Sequence, residues 1–149
     1  MFEIESKKPE EITITTKQTS VIFNVAQFLI DANLPVGKIK GPGEFELGNM
    51  TIRGIGVSDE RVIYVAEIDG VRIGMTGDIE EGLDELGPID ILCAASTKVV
   101  KEVNPKLVIA TGNVDGMVTD LKLTARTEKK LKIKNADALP MALEIVVLN

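Results

Sequence analysis

The chain has no histidine and no tryptophan, and one cysteine and one tyrosine in 149 residues. Each absence removes a class of chemistry. Without imidazole, catalysis of the Ser-His-Asp or Cys-His kind is excluded by composition. Cys93 has no second thiol with which to form an internal disulfide. Aromatics make up only 3% of the chain, so the core must be aliphatic and the stacking platform of a single-stranded nucleic-acid binder is missing. The net charge of −6 points the same way, because phosphate backbones and anionic membrane surfaces repel an acidic chain. No apolar run approaches the ~18 residues of a membrane span. No N-terminal stretch joins a basic segment to an apolar one as a signal peptide does. The expectation is a cytoplasmic protein with neither nucleic acid nor membrane as a partner.

What is present describes a globular domain. Hydrophobic residues make up 44% and charged residues 27%, and the length suits one domain over residues 1–149. Phe2 and Ile4 alternate within a charged N-terminus, and Ile12 to Thr16 alternates and is β-branched, as a strand requires. Lys17-Gln18-Thr19 reads as a turn and Val21 to Phe23 as the next apolar run. Val25 to Ala32 predicts a short helix, capped by Asn24 and ended before Pro35.

The middle of the chain predicts a four-stranded antiparallel meander. Glu44–Leu47 and Met50–Val57 flank Gly48-Asn49, and Val62–Ile68 meets Val71–Met75 across Asp69-Gly70, two tight-hairpin signals. Ser58-Asp59-Glu60 turns the chain between them. Beyond it, Ile79–Leu86 predicts a helix stopped by Gly87-Pro88, and Ile89–Ala95 a strand covered on both faces. Thr97–Val103 predicts a helix ended by Asn104-Pro105, Leu107–Ala110 a second buried strand, and Met117 to about Lys129 a helix despite its three threonines. Leu131–Lys134 and Leu143–Leu148 read as closing strands. The class is α+β, with sheets in the middle and helices outside.

Individual residues have local explanations. Asp78 stands before a predicted helix with Glu81 three residues on, the pattern of a capping box, and Glu80 and Glu81 suit the dipole of a first turn. Cys93 lies inside an apolar strand and reads as a buried, inert thiol. Gly41-Pro42-Gly43 is a turn, since neither a helix nor Lys-Ser/Thr follows as a phosphate loop requires. Gly54 and Gly56, two glycines in a strand pattern, signal a bulge or a close backbone approach. An acid–base pair would have to come from Glu44, Glu46, Asp59, Glu60 and Asp78, which read as a solvated face. From Lys130 to Lys134, lysines alternate with Leu131 and Ile133, as on an edge strand guarded by charge.

One string of features is more specific. Gly41-Pro42-Gly43-Glu44-Phe45-Glu46-Leu47 opens the meander, and the Ile68-Asp69-Gly70-Val71-Arg72-Ile73 hairpin leads to Gly77-Asp78. The stretch Ile89-Asp90-Ile91-Leu92 follows, and then Val103-Asn104-Pro105-Lys106-Leu107-Val108-Ile109. In this order they resemble the metallo-β-lactamase fold hydrolases, specifically the small branch similar to L-ascorbate-6-phosphate lactonase. The likeness covers roughly residues 38–111 well and 130–149 loosely. It implies an αββα sandwich with a dinuclear metal site at one sheet edge. It also implies a His-x-His-x-Asp-His loop before the GPGE segment, a histidine after Gly54-Ile55-Gly56 and another after Leu107-Val108-Ile109. Residues 1–40 hold no such loop, and Ser58-Asp59-Glu60 and Thr111-Gly112-Asn113 stand in the other two places. Only the bridging aspartate remains, as Asp78.

The sequence therefore reads as a sandwich of this type truncated at its N-terminal half, with no catalytic residue, no cofactor and no metal, Asp78 being a relic. The expected role is that of an inactive pseudo-hydrolase acting through protein–protein contacts. A homo-oligomer, a dimer by preference, would cover the apolar surface left by the trimmed half. The alternatives are a metal-dependent hydrolase with carboxylate ligands, and small-ligand binding in the former active-site cleft.

Overall fold

The computed structural model describes residues 1–8, 10–32 and 37–149. The chain first lays down five short strands, β1 (Phe2–Glu5), β2 (Glu11–Thr15), β3 (Ser20–Asn24), β4 (Leu29–Ala32) and β5 (Lys38–Ile39). Each is antiparallel to the next. The predicted meander follows as β6 (Gly43–Leu47), β7 (Met50–Gly56), β8 (Val62–Ile68) and β9 (Val71–Gly77). Both hairpins have the expected register, with Leu47 opposite Met50 and Ile68 opposite Val71. Asp69 and Gly70 take φ of 52° and 77°, the positive values that a turn twisting with its strands demands.

The remainder is β10 (Ile91–Ala94), α1 (Thr97–Val103), β11 (Leu107–Ala110), α2 (Val114–Leu121), β12 (Ala125–Glu128), β13 (Lys130–Ile133) and β14 (Glu144–Leu148). These strands complete two sheets. The six-stranded sheet has the order β13-β1-β2-β3-β4-β5, and the eight-stranded sheet β12-β14-β11-β10-β9-β8-β7-β6. From β9 through β12 the larger sheet is parallel.

Three expected helices are corrected. At Val25–Ala32 the Asn24 cap chemistry is present, since Asn24 Oδ1 accepts from the N–H groups of Ala26 and Gln27. It serves a single turn, which ends at Phe28 with φ 53°, and Leu29–Ala32 returns as β4 because its apolar residues are buried against β3. Pro35 lies outside the described residues. Ile79–Leu86 holds only a 3-10 turn at Leu83–Glu85: Gly82 (φ 73°) breaks the run, while Ile79 and Leu86 are both buried as anchors. The helix expected from Met117 begins earlier and ends at Lys122, whose φ is 57°. Its second half, Ala125–Glu128, pairs as β12 beside β14. Sheet pairing overrides helix propensity here.

The two sheets share one aliphatic cluster. It joins Phe2, Ile4, Ile14 and Phe23 of the smaller sheet to Met50, Ile52, Ile73, Ile91 and Ile109 of the larger. A second cluster lies on the outer face of the larger sheet, where Val65, Leu92 and Val108 meet Val99 and Val100 of α1 and Met117 of α2. Burying each such aliphatic side chain contributes about 1.5–3 kcal/mol before entropy is counted. Helices were expected outside both sheets. Among the described residues they cover only the larger one, and the outer face of the smaller sheet carries Glu3, Glu5, Thr15, Lys130 and Lys132 instead. Glu3 faces Lys132, Glu5 faces Lys130, and Lys130 Nζ reaches Glu3 Oε2 at 3.0 Å. An antiparallel sheet with one polar face needs no cover on that face.

The expected truncation is corrected too. Phe2–Ile39 supplies every strand of the six-stranded sheet except β13, so the surface that a missing half would have exposed is covered from within the chain. Cys93 sits inside the shared cluster with no exposure, and burial pushes its thiol up to about 12. Gly54 marks the expected close approach: a Cβ there would stand 2.5 Å from Gly41 O.

Tyr64 is a buried polar tie across the layers, whereas the Met1–Asp69 ion pair and the Thr16–Asn49 hydrogen bond join loops at the periphery. Its ring is fully buried on the inner face of β8 and meets Phe23 edge-on, with centroids 6.0 Å apart. Its hydroxyl lies 2.8 Å from Phe28 O and 3.2 Å from Ile39 O, carbonyls at the two ends of the β4–β5 segment. Burial, only partly offset by a hydrogen bond from the Gly41 backbone, pushes its pKa up to about 12. Tyr64→Phe keeps the ring and removes the donor. It should cost roughly 1–3 kcal/mol, since buried carbonyls lose their partner, seen as a lower urea midpoint with unchanged far-UV dichroism.

Candidate functional site

Strand direction decides which loops meet. β7 and β9 both run antiparallel to β8, and β10 and β11 run parallel to β9. The segments that follow these four strands therefore emerge at one edge of the larger sheet: Val57–Arg61, Asp78–Gly82, Ala95–Ser96 and Thr111–Asn113. The smaller sheet contributes Glu10 and Val25, joined by a 2.8 Å bond from Val25 N to Glu10 O.

Gly77 makes the junction possible. Its φ is 58°, and a Cβ there would meet Val25 Cγ1 at 3.1 Å. Beside it lies a cleft of about 300 Å³ lined by Glu10, Val25, Phe28, Asp78, Ala95 and Thr111 among others. Asp78 is exposed, and among the described residues it makes no hydrogen bond or ion pair. Thr111 Oγ1, by contrast, is buried without a hydrogen-bond partner.

Glu81 organises the neighbouring loops. Its carboxylate accepts from Ser58 N at 3.1 Å, from Ser58 Oγ at 2.6 Å and from Arg61 Nη2 at 3.1 Å. The Ser58 hydroxyl and N–H, with Arg61 after them, hold the Glu81 carboxyl below its ordinary value of 4.5. The turn so held contains two successive non-glycine residues in the left-handed region, Asp59 at φ 60° and Glu60 at φ 58°. Glu80 accepts from Ser96 Oγ, and Ser96 Oγ in turn accepts from Val99 N as the cap of α1. The capping box expected between Asp78 and Glu81 is therefore not formed, because no helix follows Asp78 and Glu81 reaches across to the β7–β8 turn. Ser96 was readable as a cap, standing just before a predicted helix. The Ser58–Glu81 pair was not, because its partners are 23 residues apart and share no periodic pattern.

No protein-family model matches the chain, and no curated protein matches it in sequence. Structure gives a clear likeness. A solved chain from Thermotoga maritima, assigned to the Zn-dependent hydrolases of the metallo-β-lactamase superfamily, superposes with a TM-score of 0.71 at 18% identity, over 99% of both chains. This chain shares that fold. The superposition runs end to end, which agrees with an N-terminal half that is present rather than trimmed.

In the metallo-β-lactamase fold, as the sequence resemblance implies it, the segments after β7, β9 and β11 are where ligands would stand. Here those positions carry Ser58, Asp78 and Thr111-Gly112-Asn113. Zinc in such sites takes three or four nitrogen, sulfur or carboxylate ligands. Among the described residues, no three His, Cys, Asp or Glu side chains come together in a way that could hold a metal ion. The donor set does not fit the zinc that the superfamily's name implies. Of the other acidic candidates, Asp59 and Glu60 sit in the turn that Glu81 fastens. Glu44 and Glu46 stand apart on β6, opposite Arg53 and Thr51.

Two substitutions separate these carboxylates. Asp78→Asn and Asp78→Ala should each shift stability by less than ~0.5 kcal/mol, as expected of an exposed side chain with no partner; an Asn as damaging as Ala only in the presence of added metal would mark Asp78 as a ligand. Glu81 behaves differently with pH. A carboxyl whose pKa is lowered by folding contributes stability that is present above its unfolded value, here near 4.5, and is lost as pH falls through the lower folded value. Amide exchange at Ser58 should therefore accelerate relative to its intrinsic rate below about pH 4.5, and Glu81→Gln should show a weaker transition.

Proposed function

We propose that this chain is a catalytically inactive, cytoplasmic domain built on the metallo-β-lactamase sandwich, with one outer helical layer shed, and that it acts through protein–protein contacts as a homo-oligomer, joined at an open sheet edge because no trimmed half leaves an apolar surface to cover. The observation that carries this reading is the state of the strand-end loops. Where a hydrolase of this fold needs donors converging on a metal, the side chains here bond to one another, Glu81 to Ser58 and Arg61 and Glu80 to Ser96. Among the described residues, Asp78, Asp59 and Glu60 face solvent free of such a tie, but they do not come together as a metal-holding group. One carboxylate does not hold a catalytic metal.

A second reading has its own support. The cleft beside Asp78 is a concave space lined by Glu10, Asp78 and Thr111 among others, which suits small-ligand binding without turnover. A metal-dependent hydrolase with carboxylate ligands is the third, and one measurement decides against or for it. Protein purified without a histidine tag, dialysed and analysed for metals should carry less than about 0.1 equivalent of zinc, manganese or iron. Stoichiometric metal that survives dialysis would overturn the inactive reading and bring the hydrolase forward.

A further inference from the structure

Two sheets have four edges, and three of them are poorly made to meet a second copy of the chain. β13 carries exposed Lys130 and Lys132, and β6 carries exposed Glu44 and Glu46, so antiparallel pairing with itself would set like charges opposite each other. β5 is only two residues long. β12 differs. It reads Ala125-Arg126-Thr127-Glu128, with opposite charges on either side of Thr127. It is hydrogen-bonded to β14 on one side and ends the larger sheet on the other.

The backbone of β12 is aimed accordingly. Asn149 N donates to Glu128 O at 3.1 Å, so the Glu128 carbonyl is turned toward β14. A parallel ladder uses alternate residues of a strand, so Arg126 and Glu128 bond inward and the N–H and C=O of Thr127 point out over the open edge. Arg126 and Thr127 are both exposed.

We propose that β12 is the contact through which two copies of this chain assemble, antiparallel about a two-fold axis at Thr127; this rests on the homo-oligomer reading above. The Thr127 N–H of each copy then donates to the Thr127 carbonyl of the other. Arg126 of each faces Glu128 of the other, so the axis creates two opposite-charge pairs from one sequence. Arg126 already reaches Glu128 at 3.1 Å and Glu144 at 3.2 Å within the chain. A guanidinium has five N–H donors, enough to keep Glu144 while sharing a second carboxylate. A four-residue strand alone falls well short of the roughly 1,600 Å² of a standard interface. Leu121, Leu123 and Leu143, half-buried against the outer cluster in the segments flanking β12 and β14, are the apolar side chains nearest in sequence that could add to it.

The test is a charge swap read by light scattering at tens of micromolar, with thermal unfolding to confirm the fold of each variant. The parent should have twice the chain mass. Arg126→Glu and Glu128→Arg should each halve it, because every cross-axis pair becomes like-charged. Mixing the two variants should restore the doubled mass, since one then offers two acids and the other two bases. Thr127→Pro, which removes an outward-facing N–H and puts a ring on the open edge, should also give the single mass. If the parent is dimeric and all these variants stay dimeric, the interface lies elsewhere and this inference fails while the oligomer reading stands. A monomeric parent overturns both. A mass above the dimer would point to pairing of β13 with β6 between copies and would likewise overturn it.

Discussion

Between the two sheets lie Ile4, Ile14, Ile30, Ile52, Ile73, Ile91 and Ile109, each with essentially no exposure, and among them a single tyrosine. Aliphatic side chains pack without direction, so a layer made of them fixes the distance between sheets better than it fixes their alignment. Tyr64 adds the direction. Its hydroxyl reaches backbone carbonyls on either side of β4 and β5, so the last part of the smaller sheet is held at one place over β8. The position of the Asn24–Phe28 turn follows from that tie. So does the seat of Val25 over Gly77, and with it the wall of the cleft at the strand ends. With so few aromatics in the chain, no second buried phenol or indole shares this work.

Much of this architecture is written in short-range signals. The period-two patterns of Phe2 and Ile4, of Ile12–Thr16 and of Lys130–Lys134 announce strands, and the structure pairs them side by side as β1, β2 and β13. Gly48-Asn49 and Asp69-Gly70 specify both hairpins to the residue. The apolar runs Ile89–Ala95 and Leu107–Ala110 predict strands covered on both faces, and the structure forms them as Ile91–Ala94 and Leu107–Ala110. The failures have a common cause. Leu29–Ala32 and Ala125–Glu128 each follow a genuine helical or helix-like turn, and each becomes a strand only because an existing sheet edge offers unpaired groups nearby. That offer comes from residues far away in sequence, and no local propensity carries it.

The strand-end region divides in the same manner. The lack of imidazole was plain from composition, and the strand order brings Ser58, Asp78 and Thr111 to one edge, as the family likeness implied. What took the place of converging donors was not legible. Glu81 has the spacing of a capping residue relative to Asp78, and that local reading was reasonable. A distant serine N–H, a hydroxyl and an arginine together offered its carboxylate more than one backbone N–H could. A carboxylate accepting three hydrogen bonds fastens loops much as a bound cation would.

Both flanks of the molecule are stitched by the chain itself. β5 passes to β6 through residues 40–42, and β12 passes to β13 through Lys129, so the outermost strands of one sheet lead directly into those of the other. The second stitch has a consequence for how the molecule forms. β1, the first strand made, waits for β13, and Phe2 lies opposite Ile133. Closing so long a loop is entropically late, and domains dominated by such distant pairings fold slowly. During synthesis the smaller sheet must stand with the flank of β1 open until Lys130–Ile133 has appeared. The glutamates of β1, which later meet lysines, keep that waiting edge charged and discourage it from pairing with a neighbouring nascent chain.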